Sequence, residues 1–233
     1  MTESVYQLCS RPPRRVLIFA KAPEVGRVKT RLAKSIGTEG ALEIHRAMIR
    51  DLLGRLGSGD ELDIDVIWSG SEEVPGASLV ETFSPHRLTR QIGSDLGERM
   101  ATAISDRALL QRTRQIIAIG TDLPDLERID LEAAFSLLDS CGWVVGPALD
   151  GGYYLIGCRS RSFDASVFQG IHWGESSVLE ATTERIRKVG ESVALLPQRR
   201  DIDEIEDLVE YVNRHPDEEV ARVYRQLCHT KAE

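Results

Sequence analysis

Short runs of consecutive apolar residues, separated by amphipathic segments, constrain the fold of this chain more than any other feature. Val16–Phe19 and Ile116–Ile119 are both runs of this kind. An apolar run without alternation is typical of a strand that is buried on both faces of a parallel sheet. Further runs at 64–68, 143–145, 153–156 and 193–196 extend the series, so the sequence predicts six strands.

Helical periodicity marks the segments between these runs. From Gly40 to Leu56, apolar side chains recur every three or four residues, and 98–112, 131–138 and 179–189 repeat the pattern. Asp130 is a candidate N-cap for the third of these helices, and two acidic helices are expected over 203–228. Strands that alternate with helices indicate a mainly parallel sheet with helices on both faces.

Composition narrows the class of protein. A chain of 233 residues with 42% hydrophobic and 28% charged residues fits one domain over 1–233, with its core from about 16 to 208. The net charge of −8 argues against binding to duplex nucleic acid. The four cysteines lack metal-binding or C-x-x-C spacing, and no signal peptide or membrane span is visible. A cytoplasmic protein is therefore expected.

The loop after the first predicted strand is rich in basic residues. Residues 11–34 include eight basic side chains and a single acid. Lys21, Lys29 and Arg31 could bind a phosphate, and Gly26 could let backbone N–H groups approach it, although the loop matches neither the Walker nor the G-x-G-x-x-G motif. A solvated basic loop is the alternative. Its place after a buried strand, where open α/β sheets bind ligands, makes the two interpretations about equal.

Carboxylates follow two of the later predicted strands. Asp122 comes just after the Ile116–Ile119 run, and Asp201 and Asp203 follow the last run. Carboxylates at strand ends can hold a divalent cation on a phosphate, but Asp122 could equally be a helix N-cap or a turn residue. Asp150 lies in an Asp-Gly-Gly sequence, which by spacing alone indicates a hairpin turn. The histidines lack metal-site spacing, and no serine-hydrolase motif is present.

Several motifs occur together in an order that resembles a known family. They are Phe19-Ala-Lys-Ala-Pro-x-x-Gly-x-Val-Lys-Thr-Arg-Leu32, Gln91-x-Gly-x-Asp-Leu-Gly-Glu-Arg-Met100, Gly120-Thr-Asp-x-Pro124, Gly146-Pro-Ala-x-Asp-Gly-Gly-Tyr-Tyr-Leu-Ile-Gly157, Ile171-x-Trp-Gly174 and Asp201-Ile-Asp203. From about Val16 to Leu208, the chain resembles the DUF2064 group, also called selenodomain-associated transferase 1. That group belongs to the nucleotide-diphospho-sugar transferase superfamily, which has the glycosyltransferase-A fold.

The resemblance implies a fold and a nucleotide site. The fold would be a three-layer α/β/α sandwich with a mostly parallel, Rossmann-like central sheet, in which the strand at Tyr153 is antiparallel. A nucleotide would bind against the first loop, with Mg²⁺ or Mn²⁺ on its phosphates. The residues that would contact the nucleotide are Lys21, Gly26, Lys29, Thr30, Arg31 and Asp95.

The same resemblance implies a metal site and a reaction centre. Asp122 would be the first metal ligand, and Asp203 (or Asp201) the second. The catalytic set would be Lys29, Asp122 and Asp150. Trp173 and the Asp150 loop would border the second substrate.

The function expected on these grounds is metal-dependent transfer from a nucleoside triphosphate or a nucleotide-diphospho-sugar to a small acceptor. The first loop lacks the G-x-G-T-R of typical sugar nucleotidyltransferases and is closer to that of phospholactate guanylyltransferases, so nucleotidyl and glycosyl transfer both stay open. The alternative is a non-catalytic nucleotide-binding sensor or scaffold. Neither a nucleic acid nor a membrane is an expected partner, while a homodimer is one option for the oligomeric state.

Overall fold

Seven strands form one sheet through the centre of the protein. The computed structural model describes residues 14–57, 62–110 and 113–230. The strands are β1 (Arg14–Lys21), β2 (Asp63–Ser69), β3 (Arg87–Arg90), β4 (Gln115–Ile119), β5 (Trp143–Pro147), β6 (Tyr153–Arg159) and β7 (Val193–Leu195). Their order is β3-β2-β1-β4-β6-β5-β7, and β6 alone among these seven runs antiparallel to its neighbours. The sheet is therefore mostly parallel, as predicted, with the expected antiparallel strand at Tyr153.

Helices cover both faces of this sheet. They are α1 (Ala33–Ile36), α2 (Thr38–Leu56), α3 (Ala77–Phe83), α4 (Leu96–Leu110), α5 (Arg128–Leu138), α6 (Val178–Lys188), α7 (Ile205–Arg214) and α8 (Glu219–Thr230). Short 3₁₀ segments cover Ser160–Ser162 and Ala165–Phe168. Within the described ranges, no helix combines the length and the apolarity needed to cross a membrane.

Alternating side chains of β1 supply two separate hydrophobic cores. Val16 and Ile18 pack in the cluster that includes α2, α3 and α5, whereas Leu17 packs on the other face with α4 and α6. All three side chains are fully buried. Because both faces of the strand are covered, its sequence is apolar without alternation. The predicted three-layer α/β/α sandwich is confirmed.

A third hydrophobic cluster attaches the C-terminal helices to α2. Met48 of α2 packs in this cluster with Tyr211 of α7 and Val220 of α8. The carboxylate of Asp51, also on α2, accepts hydrogen bonds from the backbone N–H groups of Glu219 (3.1 Å) and Val220 (2.9 Å) and so caps α8. The helices at the end of the chain are thereby fixed to the helix that follows the basic loop.

Several predicted boundaries differ from the structure. Asp130 is not the N-cap of α5, because Glu127 holds that position and the Asp130 side chain accepts the Glu127 N–H at 2.8 Å, as the third residue of a capping box. The short β3 and α3 were not predicted. The C-terminal helices begin at 205 rather than 203. Arg11, Cys9 and the end of the helix predicted over 98–112 lie outside the described residues.

Candidate functional site

A cavity of about 520 Å³ opens at the edge of the sheet where the parallel strands β1, β2 and β4 end. The ends of these strands contribute Lys21, Ser69 and Ile119 to its walls. Since β6 is antiparallel, its first residues, Tyr153 and Tyr154, reach the same edge. This is the edge at which open α/β sheets bind their ligands.

Basic side chains gather around this cavity, which we name the basic cavity. Lys21 reaches it from the end of β1, Lys29 and Arg31 from the loop that follows, and Arg99 from α4. Thr30, from the same loop, also lines it. Lys21 and Arg99 have no carboxylate partner among the described residues, so their charges are available to an anionic ligand.

The structure divides the basic run that the sequence analysis treated as one cluster. Arg14 and Arg15 lie at the opposite end of β1 from the cavity. Arg14 pairs with Glu132, and Arg15 pairs with Asp63 at 3.0 Å and with Asp65. The start of the run therefore stabilises the far end of the sheet and contributes nothing to the cavity.

Lys29 is the most constrained of the basic residues at the cavity. Its backbone has a φ of +44°, a left-handed conformation that non-glycine residues rarely adopt outside functional sites and tight turns. Its side chain is only 4% exposed. The Nζ atom lies 2.7 Å from Oδ1 of Asp122 and 3.4 Å from Oδ1 of Asp203, and it donates to the carbonyl of Ile202. Lys29 thus bridges the two carboxylates that the resemblance assigned to a metal.

Asp122 and Asp203 are brought together by a hydrogen bond between their two loops. The backbone N–H of Ile202 donates to the carbonyl of Asp122 at 2.9 Å, which holds the segment after β7 against the end of β4. Asp203 also accepts a hydrogen bond from Arg31 Nη1 at 3.1 Å. Burial acts to raise the pKa of Asp122, but the charge of Lys29 and its hydrogen bond lower that pKa below its usual value.

A second cavity, of about 270 Å³, adjoins the first, and we name it the acidic cavity. It shares Asp122 and Asp203 with the basic cavity. Asp150, Glu175 and Asp201 add three more carboxylates to its walls. Burial, and after it the nearby charge of Asp150, raises the pKa of Asp201 to about 6.

These carboxylates are better suited to a metal ion that binds together with the substrate than to one that is bound permanently. Within the described part of the chain, no group of three histidine, cysteine, aspartate or glutamate side chains is arranged to hold a metal ion. Mg²⁺, however, is commonly bound by one or two carboxylates together with substrate phosphates. Asp122 and Asp203 supply such a pair, and the further carboxylates that line the same cavity favour a cation. Lys29 would have to leave the pair first.

Two residues that the resemblance assigned to the nucleotide lie outside the lining of the basic cavity. Gly26 is exposed, with a φ of +74°, and a Cβ atom there would meet nothing within 4 Å, so the turn explains the glycine. Asp95 is exposed, and its Oδ1 accepts the Glu98 N–H at 2.8 Å, which caps α4. A direct contact of either residue with a nucleotide has no support from this geometry.

Asp150 and Trp173, which the resemblance assigned to the border of the second substrate, both line the acidic cavity. Asp150 also has the turn role that spacing alone indicated, because its Oδ1 accepts the Gly152 N–H at 2.9 Å in the hairpin between β5 and β6. Trp173 packs closely on α4. A Cβ atom on Gly97 would lie only 2.8 Å from Cζ2 of Trp173, so the glycine permits this approach.

Gln91, His45 and Arg99 also line the basic cavity, although the sequence motifs assigned them no role there. His45 is 3% exposed and its Nε2 lies 3.2 Å from the carbonyl of Lys21, while its Nδ1 has no hydrogen-bond partner among the described residues. Burial lowers the pKa of this imidazole. The available signal was a polar residue on the apolar face of a predicted helix, directly after Ile44.

Comparisons with known proteins relate this fold to nucleotide-using enzymes. The model of an uncharacterized protein family conserved in bacteria, DUF2064, matches residues 53–175. The crystal structure of a proposed nucleotide-diphospho-sugar transferase from Desulfovibrio desulfuricans G20 is 32% identical, with a TM-score of 0.84 over 91% of this chain and 94% of that one. None of the curated proteins compared with the chain matches it.

More distant structures share the fold at low sequence identity. A 4-diphosphocytidyl-2C-methyl-D-erythritol synthase from Anaerococcus prevotii DSM 20548 has a TM-score of 0.55 and 11% identity, over 86% of this chain and 99% of that one. The inositol-1-phosphate CTP transferase from T. maritima has a TM-score of 0.55 and 13% identity, over 91% and 96%. At such identities, the likeness establishes the fold alone.

The sheet order, the helices on both faces and the cavity at the carboxyl edge define the class of protein. It has the fold of the nucleotide-diphospho-sugar transferase superfamily. Within that class, the chain belongs to the DUF2064 family, because the family model covers more than half of it and the 32% identical structure spans nearly all of it. The family that the motifs indicated is confirmed.

Proposed function

We propose that the protein is a metal-dependent transferase that uses a nucleoside triphosphate or a nucleotide-diphospho-sugar. One observation carries this proposal: a basic cavity and an acidic cavity meet at Asp122 and Asp203. A nucleotide in the first would place its phosphates beside the group to be transferred in the second. The name of the 32% identical structure, a proposed nucleotide-diphospho-sugar transferase, supports a nucleotide substrate.

Each group at the junction has a role in this proposal. Lys21, Arg31 and Arg99 would bind the phosphates, and Lys29 would move from the carboxylates to the phosphates as they enter. Asp122 and Asp203 would then hold Mg²⁺ or Mn²⁺, which neutralises charge on the leaving phosphate. Positioning and electrostatic stabilisation account for most of the catalysis in such transfers, so no nucleophilic side chain is required.

A thermal-shift panel of nucleoside triphosphates and nucleotide-sugars, with and without Mn²⁺, tests the first half of this proposal. A ligand present at a hundred times its Kd raises the unfolding free energy by about 2.7 kcal/mol. The absence of a shift with every nucleotide would contradict the assignment. The nucleotide that gives the largest shift then serves as the substrate for turnover measurements.

Turnover with that nucleotide and Mn²⁺ tests the second half. Asp122→Asn should lower it by roughly 100-fold or more, because a metal ligand and a fixed charge are lost together. Asp106→Asn, at an exposed carboxylate of α4 that lines neither cavity, is the matched control. Unchanged turnover in Asp122→Asn would refute the metal site. Tight nucleotide binding with no product from any acceptor would favour the sensor or scaffold instead.

The proposed setting is the cytoplasm. Cys141, Cys158 and Cys228 are free thiols in the structure, in keeping with a reducing compartment. Mass measurement of the protein from cells after thiol alkylation tests this, and any disulfide among these three cysteines would count against it.

A further inference from the structure

The charge of the acidic cavity differs sharply from that of its neighbour. Carboxylates line it, and lysine, arginine and histidine are absent from its lining as far as the structure describes it. Asp122 and Asp203 are paired with Lys29. The three unpaired carboxylates are those of Asp150, Glu175 and Asp201.

No cation among the described residues compensates these three carboxylates directly. Oδ1 of Asp150 accepts only a backbone N–H, and Glu175 accepts a hydroxyl from Ser177 at 3.5 Å. Arg31 and Arg200 lie outside the lining of the acidic cavity, in a neighbouring cavity whose walls also include Asp150 and Asp201. Arg31 is paired with Asp203, and Arg200 with Asp207 at 3.2 Å. An anionic group that entered the acidic cavity would therefore face uncompensated like charges.

The remaining walls of the acidic cavity are aromatic and apolar. The rings of Tyr153 and Trp173 meet edge to face, with their centroids 6.5 Å apart, and Leu123 and Val178 complete this side. The volume of about 270 Å³ suits a compound the size of a monosaccharide, just below the usual range of ligand pockets. Carboxylates accept hydrogen bonds from hydroxyl and ammonium groups, while an aromatic wall packs against the C–H face of a sugar ring.

On the basis of the proposed transferase function, we infer that the acceptor in this cavity is a sugar, an amino sugar or a polyol that carries no phosphate or carboxylate. Its hydroxyl or ammonium groups donate hydrogen bonds to Asp150, Glu175 and Asp201, beside the ring of Trp173. The basic and acidic cavities thus separate an anionic donor from an acceptor without anionic groups.

The transfer balances with the groups that are present. A hydroxyl oxygen of the acceptor attacks the electrophilic atom of the donor, which is the α-phosphorus of a triphosphate or C1 of a nucleotide-sugar. The bond from that atom to the leaving phosphate oxygen breaks and releases pyrophosphate or the nucleoside diphosphate. The hydroxyl proton passes to a carboxylate at the cavity, for which Asp150 is placed.

Probes that share one sugar ring and carry different charges test this inference on the full chain. Glucose, glucosamine, glucuronate and glucose 6-phosphate form one series, and the corresponding galactose compounds form another. Binding is measured by calorimetry at low salt, with and without the nucleotide found in the thermal-shift panel. We expect the phosphate and carboxylate members to bind at least about tenfold more weakly than the neutral or amino members. Equal or tighter binding of the anionic members overturns the inference, and so does failure of all eight compounds to bind.

Two variants locate the source of the discrimination. In the double variant Asp150→Asn, Glu175→Gln, the preference against glucuronate and glucose 6-phosphate should shrink several-fold, since two of the three unpaired charges are removed. Glu206→Gln, an exposed carboxylate on α7, is the control and should leave the preference intact. A preference that survives the double variant unchanged overturns the inference. Because nucleotide shifts are recorded on the same samples, failure of the acceptor assignment is distinguishable from failure of the transferase proposal.

Discussion

Replacing Lys29 with alanine should change metal and nucleotide binding in opposite directions. In the ligand-free protein, the Lys29 ammonium lies between Asp122 and Asp203 and so competes with a divalent cation for the same oxygens. The same ammonium is proposed to bind the phosphates of the nucleotide. Lys29→Ala removes the competitor of the metal and one binding group of the nucleotide at once.

The size of each effect follows from the surroundings of the Lys29 ion pairs. The lysine side chain is 4% exposed, but those of Asp122 and Asp203 are 50% and 38% exposed, so solvent screens the attraction. Ion pairs that are neither fully exposed nor fully buried should contribute about 1–2 kcal/mol. Their removal should therefore tighten Mn²⁺ binding without nucleotide by roughly 5- to 30-fold. Loss of a charged hydrogen bond to phosphate costs about 1.5–3 kcal/mol, or roughly 10- to 150-fold in nucleotide affinity.

Two titrations measure these changes separately. Free Mn²⁺ is followed by electron paramagnetic resonance without nucleotide, and nucleotide binding is followed by calorimetry without metal. Lys34→Ala, at an exposed lysine of α1 that lines neither cavity, should leave both affinities unchanged. A misfolded variant would bind both ligands more weakly, so tighter Mn²⁺ binding together with weaker nucleotide binding distinguishes the expected effect from misfolding. If the Lys29→Ala variant binds Mn²⁺ no more tightly than the wild type, the prediction that the lysine competes with the metal is wrong.

Further predictions concern stability and pH. Gly97→Ala should lower the unfolding free energy by about 1–3 kcal/mol, because its Cβ atom would lie 2.5 Å from a backbone carbonyl and 2.8 Å from Trp173; thermal unfolding tests this, and an unchanged Tm would refute it. Asp51→Ala removes the cap of α8 and should cost about 1–2 kcal/mol in urea unfolding, whereas Asp51→Asn, which keeps an acceptor, should cost less. Since burial lowers the pKa of His45 in the folded protein, the free energy of unfolding should fall as the pH drops below about 6.5, which is the pKa of histidine in an unfolded chain. His45→Gln should make the free energy of unfolding less dependent on pH in this range, while the dependence due to His86, whose pKa is also lowered by burial, should remain. An equal pH dependence in the variant and the wild type would show that His45 does not contribute.

Local sequence patterns predicted the elements whose burial is uniform. The run that includes Val16 and the run that includes Ile116 are strands covered on both faces, so burial alone determined their apolar residues. The helix at Gly40–Leu56 was equally visible because one side of it faces the core. The four-residue strand β3 escaped detection, since its arginine ends are exposed and a short segment shows no period.

The motifs also indicated the family and pointed to carboxylates and cations near strand ends. They could not tell which role each motif position serves, because a glycine or an aspartate in a loop can serve the backbone or a ligand. Asp95 caps a helix, and Gly26 holds a turn. The spacing of the histidines indicated no metal site, and it gave no sign that the ring of His45 lines the basic cavity.

By itself, the sequence determined the layers of this protein and the edge of the sheet that carries its charged side chains. Which of those side chains meet depends on the strand order and on contacts between loops. Only the tertiary structure decides these. Strand β1 spans more than about 20 Å, so Arg14 lies far from Lys21 although both belong to one basic run. Conversely, the hydrogen bond from Ile202 to Asp122 brings Asp203 and Lys29 to one point from distant parts of the chain. Local periodicity reports the burial of each segment, whereas such contacts depend on the pairing of segments that no local pattern encodes.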